Sequence, residues 1–169
     1  MRLILYTRWV TDRMKERGIL YGVGVGPGDP ELMTYKAIKT IEDCEIIAVP
    51  NVNREKSVSY RIAAGIIHDI DKKICIDLGT PMTKDKEVLN LAYEKAASRI
   101  AGYLAEGKSI AYLTLGDPCV YSTYMYIERK VRLLGYETCI INGIPSFCAA
   151  ASRMNESFAD RNEQIHIIP

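Results

Sequence analysis

Apolar positions along the chain alternate between short unbroken runs and longer stretches spaced three or four residues apart. Ile19 to Val25, a short apolar run broken by glycines, reads as a first strand. Thr34 stands where it can cap a helix running to about Glu42. Cys44 to Val49, apolar apart from Glu45, reads as a second strand, ended by Pro50-Asn51. From Ser57 to Ile67, the residues Val58, Ile62, Ile66 and Ile67 recur at helical spacing, and Ile74 to Leu78 reads as a third strand. Asp85 to Glu106 predicts the longest helix, with Leu89, Tyr93, Ala96, Ile100 and Leu104 on one stripe and Gly107 as its stop. Ser109 to Leu115 reads as a fourth strand. Ser122 or Thr123 can cap the next helix, whose inner face carries Ile127, Val131 and Leu134 and which Gly135 ends. Glu137 to Ile141 reads as a fifth strand and Ser146 to Arg153 as a short helix. The polar stretch Asn155 to Gln164 reads as a linker, after which Ile165 to Pro169 begins another strand.

Strands alternating with helices, and apolar on both faces, predict an α/β fold: a mainly parallel five-stranded sheet flanked by helices. Such sheets bind ligands beyond the carboxyl ends of their strands. The turns rich in proline and glycine follow strands one, four and five and so fall at that rim. The expected organisation is an extension over residues 1–17, an α/β domain over 18–154, and a linker with the first strand of a further domain over 155–169.

Composition narrows the functional classes. The 169 residues are 48% hydrophobic and 25% charged, ordinary for a folded chain. Lys plus Arg is 22 and Asp plus Glu is 21, so no global field recruits nucleic acid or an anionic membrane. No apolar run reaches the roughly 20 residues that span a bilayer. The five cysteines include no CxxC pair and only two histidines accompany them, which argues against a structural zinc site. All five lie in or beside apolar runs and are expected to be buried free thiols of a cytoplasmic protein. The opening residues, Met1 to Gly18, are too short in their apolar part for a signal peptide, and Arg8 interrupts them. Two readings of this stretch stay open: Met14 as the natural start, or an N-terminal helix.

The turns carry the candidate chemistry. Gly24 to Pro30 holds three glycines and two prolines, which predicts a forced turn that is neither helix nor ladder. It is not a dinucleotide fingerprint, because the third glycine of each possible frame is replaced by Pro27, Asp29 or Glu31. No Gly-Lys-Ser/Thr follows, so it is not a Walker loop either. Prolines remove amide donors, and Asp29 and Glu31 add negative charge; both disfavour phosphate. A cationic or uncharged ligand would suit it better, and a plain tight turn is the alternative. In Gly116-Asp117-Pro118, Gly116 permits close approach and Asp117 offers a carboxylate or a turn cap. In Gly143-Ile144-Pro145-Ser146, Ser146 reads as an N-cap, and the helix start could hold a carboxylate.

Together these stretches resemble the tetrapyrrole methyltransferases, which use S-adenosylmethionine. The family pattern GxGPGDPxLxT reads here GVGPGDPELMT over Gly24 to Thr34, followed by Gly116 to Pro118 and by NGIPSFCAAAS over Asn142 to Ser152. Within the family the resemblance is to the enzymes that methylate C20 of precorrin-2 or cobalt-factor II in cobalamin synthesis. It rests on Pro81-Met82-Thr83, Leu113 to Pro118, Tyr121 to Tyr126 and Ser57 to Ala63. The resemblance implies that Pro27 borders the cofactor and that Gly116, Asp117 and Pro118 hold its amino-acid portion. It also implies that Tyr121, Ser122, Thr123, Pro145 and Ser146 line the same pocket. The substrate would be a tetrapyrrole rich in carboxylates. Gly28, Asp29, Arg54, Arg61 and Lys84 are candidates to meet it, with Lys56 nearby; plain surface charge is the alternative for the cations. Tyr121, Tyr124 and Tyr126 could face a flat macrocycle or simply pack.

Family members have two α/β domains, form homodimers when full length, and hold both ligands in the cleft between the domains. This chain stops where the second domain should begin, so it is expected to bind cofactor weakly and turn over little. Asn142 replaces a proline common in relatives, a change expected to alter stiffness more than chemistry. No general base carries over at Val49-Pro50-Asn51. Two other readings stay open: a related methylase acting on another position or on another substrate class, and a non-catalytic α/β binding or dimerisation module.

Overall fold

The computed structural model describes residues 17–50 and 53–168; the readings made of residues 1–16 and of Asn51 lie outside them. Five strands form one sheet: β1 (Leu20–Gly24), β2 (Ile46–Val49), β3 (Ile74–Asp77), β4 (Ile110–Thr114) and β5 (Thr138–Ile141). Their spatial order is β3-β2-β4-β1-β5, and every neighbouring pair is parallel. Ile74, Ile46, Ile110, Leu20 and Thr138 stand in one row across the sheet. The carboxyl ends are thereby level, and the turns that leave them share one rim.

Five helices cover the sheet: α1 (Tyr35–Asp43), α2 (Val58–Ala64), α3 (Lys86–Ala105), α4 (Tyr124–Leu133) and α5 (Ser146–Met154). Alternation along each strand sorts its side chains onto two faces. Val23, Ile47, Val49, Ala111 and Leu113 pack with Ala37 and Ile41 of α1 and with Tyr60, Ile62 and Ala63 of α2. Leu20, Ile46, Ala48, Ile110 and Tyr112 pack on the other face with Ala96, Ala97, Ile100 and Leu104 of α3 and with Tyr124, Ile127 and Val131 of α4. Gly22 is bare because the Tyr124 ring occupies the space a side chain would need. The helix that follows β1 thus covers one face and the helix that follows β4 covers the other. Adjacent strands whose connections depart to opposite faces leave a crevice at their carboxyl ends, the usual ligand position in open α/β sheets.

Several local expectations are corrected. Gly26 does enter a ladder, as an isolated antiparallel bridge with Gly116. Pro30–Leu32 does form a 3-10 turn, because Asp29 caps it through Glu31 N at 3.0 Å and proline suits its first position. Cys44 and Glu45 precede β2 instead of opening it. Val58 and Leu134 are exposed, since α2 and α4 turn their inner faces onto Ile62 and Val131. Ile165–Ile168 forms no strand; it is exposed coil lying against the sheet rim. The five cysteines are free, but only Cys44 is fully buried; Cys119, on the turn after β4, and Cys148, in the first turn of α5, are exposed.

Candidate functional site

The turns leaving β1, β4 and β5 meet backbone to backbone. Gly26 N donates to Gly116 O at 3.2 Å, and Gly116 N donates to Gly26 O at 2.8 Å. Both residues have positive φ, +78° and +66°, a region that glycine enters without strain. A Cβ on Gly24 would stand 2.6 Å from Gly116 O and 2.6 Å from Gly143 N. A Cβ on Gly143 would overlap the Gly116 carbonyl. Only unsubstituted backbone lets the three corners close this tightly.

Side chains tie the corners further. Asp117 is buried, and its Oδ1 accepts from Cys119 N at 2.7 Å within its own turn. Its Oδ2 accepts from Gly143 N at 3.0 Å and from Asn142 Nδ2 at 3.2 Å, both in the turn after β5. Thr34 Oγ1 donates to the Asn142 carbonyl at 3.3 Å and accepts from Ala37 N at 3.1 Å, which caps α1.

Above this floor lies a cavity of about 310 Å³. Pro27, Gly116, Asp117, Tyr121, Pro145 and Ser146 line it, all of them site residues expected from the sequence. Leu115, Val120, Phe147, Ile167 and Ile168 complete the wall; they were not expected, since nothing in an apolar residue's type announces a ligand. Ile167 is held by a hydrogen bond from Tyr121 Oη to its carbonyl at 3.3 Å. Tyr121 itself has φ of +48°, a left-handed conformation costly for a side chain of its size. The lining contains no lysine or arginine, and Asp117 is its one carboxylate. Although Cys119 is exposed, partial desolvation together with the neighbouring Asp117 carboxylate raises its thiol above the ordinary value.

The remaining expected residues fall elsewhere. Pro118 and Ser122 are buried outside the cavity. The Ser122 hydroxyl pairs with Thr114 Oγ1 at 2.8 Å and accepts from Tyr124 N at 3.2 Å, so it and not Thr123 braces the start of α4. Ser146 is the first residue of α5, not its cap; Pro145 takes the cap position, and no side chain bonds the first amides. Thr123 and Lys84 line a neighbouring cavity of about 580 Å³ with Pro50, Thr80, Met82 and Tyr93. Arg54 lines a third, with Asn53 and Asp77, and lies over the Tyr60 ring at 5.7 Å. Gly28, Asp29 and Arg61 are exposed and join none of these cavities. Tyr124 is core, whereas Tyr126 is exposed and stacks on Tyr93 at 5.3 Å. Among the described residues no cluster of metal-ligating side chains occurs, and no helix is long and apolar enough to cross a membrane.

Comparison with known proteins gives matches over most of the chain. The family model described as Tetrapyrrole (Corrin/Porphyrin) Methylases matches residues 19–169. A probable cobalt-precorrin-2 C(20)-methyltransferase of Methanocaldococcus jannaschii is 37% identical over 151 residues. That match covers 89% of this chain and 63% of the relative, so the chain spans less than two thirds of that protein's length. A crystal structure of uroporphyrin-III-C-methyltransferase from Thermus thermophilus is similar with a TM-score of 0.63 and 25% identity, covering 86% of this chain and 56% of that one. A Thermus thermophilus uroporphyrin-III C-methyl transferase complexed with S-adenyl homocysteine has a TM-score of 0.55 at 21% identity, over 79% of this chain and 48% of that one, and at that identity shares the fold alone.

Proposed function

The chain belongs to the tetrapyrrole (corrin/porphyrin) methylases, and on that premise we propose that it serves the S-adenosylmethionine-dependent C-methylation of a reduced tetrapyrrole, at C20 of precorrin-2 or its cobalt-bearing counterpart. The function named for the Methanocaldococcus jannaschii relative supports the substrate and the position. The S-adenyl homocysteine of the Thermus thermophilus complex supports the class of donor. The observation that carries the reading is the convergence of Pro27, Gly116, Asp117, Tyr121, Pro145 and Ser146 on one cavity.

That cavity fits a sulfonium donor. Its floor is glycine backbone, and its wall has no basic group to call for phosphate. The uncapped amides at the start of α5 suit the carboxylate of an amino-acid moiety. When bound, the donor supplies an electrophilic methyl group, so the protein's task is alignment and exclusion of water. Gly116 lets the ligand approach the backbone, and Pro27 and Pro145 give rigid walls. Leu115, Phe147, Ile167 and Ile168 give the wall an apolar surface.

The substrate lies beyond the Tyr121–Thr123 segment, toward the cavity that Thr123 and Lys84 share. Lys84 and Arg54 are then placed for its carboxylates, with Arg61, Gly28 and Asp29 at the periphery. Calorimetric titration with S-adenosylhomocysteine tests the reading. Saturable binding is expected, lost in Gly116→Val, whose side chain fills the approach to the backbone. Absence of binding, or equal affinity in the variant, overturns it.

A further inference from the structure

We propose that Asp117 and Asn142 are positioning residues: a latch that holds the three turns in the shape the donor requires, with the Asp117 carboxylate directed into the protein and not at the ligand. This rests on the assignment of the cavity to a sulfonium donor. A carboxylate offers about four acceptor positions. Three are used here by Cys119 N, Gly143 N and Asn142 Nδ2. Both oxygens are engaged, and the donors come from two different turns.

The consequence is mechanical. Gly143 abuts Gly116 O and Gly24, and it leads directly into the Pro145–Ser146 wall. Without the bonds to Asp117, the β5 turn is free to part from the β4 turn, and the cavity between them loses its shape. Asn142 extends the tie to the first turn, because its carbonyl accepts from Thr34 Oγ1 while its amide donates to Asp117. One continuous chain, Thr34–Asn142–Asp117–Gly143, therefore joins all three corners. The side-chain amide of Asn142 makes a bond to Asp117 that a proline at this position could not make.

Asn142→Asp separates this role from generic packing. It keeps the shape but sets two carboxylates side by side, which cannot both ionise comfortably and come to share a proton as pH falls. The titratable neighbour is the Cys119 thiol, whose own ionisation is opposed by partial desolvation and by Asp117. S-adenosylhomocysteine affinity of the variant should fall about tenfold at pH 8, the size of one unit of pKa coupling, and recover toward wild type at pH 5. Asn142→Ala should bind more weakly at both values with no such recovery. Wild-type affinity for Asn142→Asp at pH 8, or an equal deficit at both values, overturns the latch.

A measurement without ligand decides it independently. In the amide NMR spectrum of the full chain, the Gly143 and Cys119 protons should both exchange slowly with solvent, and both should shift and lose protection in Asp117→Ala, which removes their acceptors. Indifference of Gly143 to that substitution overturns the latch, even if Asn142→Asp fails to fold. Failure of the wild-type chain to bind S-adenosylhomocysteine, with the Gly143 response present, overturns the donor reading instead and leaves the latch standing.

Discussion

Gly26 and Gly116 exchange both of their backbone hydrogen bonds across an antiparallel bridge, although the strands that lead to them run parallel. The relative direction of the two segments thus changes within two residues of the ends of β1 and β4, and both bridging glycines have positive φ, a region glycine enters without strain. The bridge closes the crevice from below and turns two strand ends into the floor of a cavity.

Gly24 and Gly143 pack against that floor, so their replacement should damage the fold and not merely the site. Gly143→Ala and Gly24→Ala are each expected to lose about 1–3 kcal/mol, the range for overpacking a close contact. Midpoints of urea unfolding measure this. Gly102 is the internal control: it lies within α3 with nothing near its missing Cβ, and Gly102→Ala should stabilise by about 1 kcal/mol.

Tyr121 combines a strained backbone with a place in the cavity wall. Tyr121→Asn should raise stability by about 0.5–1 kcal/mol, because asparagine tolerates the left-handed region better. The same substitution should weaken S-adenosylhomocysteine binding by removing the ring and its bond to Ile167. A variant that melts higher and binds less is the expected signature; one that binds better counts against Tyr121 as a wall residue.

Stability should decline in alkali. Burial pushes the Cys44 thiol up to about 12 from 9.0, outweighing the opposite pull of Lys73. Burial also raises the Tyr112 and Tyr124 hydroxyls. The folded state holds these protons more tightly than the unfolded state does, so their contribution is intact below about pH 9. It is lost as pH rises from there toward the folded values. Urea midpoints measured from pH 7 to pH 11 should fall above pH 9, and Cys44→Ala should flatten the first part of the fall. A midpoint unchanged across that range contradicts the assignment.

Much of this architecture is legible before any coordinates. Apolar runs such as Ala111 to Leu113 are buried on both sides, and the stripe Ala96, Ile100, Leu104 marks the inner face of its helix. Proline and glycine mark the corners because those conformations exclude other residues. What stays hidden depends on where distant segments meet. The amide of Asn142 gains meaning only when Asp117 lies beside it. Ile165 to Ile168 carries the composition of a strand yet has no strand beside it, and it lies along the cavity instead. Cys119 and Cys148 look buried by their neighbours in sequence, but the first sits on the turn after β4 and the second on an exposed position of α5.

The most direct measurement is a crystal structure of the chain with S-adenosylhomocysteine. Density for the ligand is expected against Pro27, Gly116 and Pro145, with its carboxylate toward the start of α5. Ligand seated in the Lys84 cavity, or a phosphate-bearing nucleotide held in the Gly116 cavity in its place, would contradict the assignment of that site to a sulfonium donor.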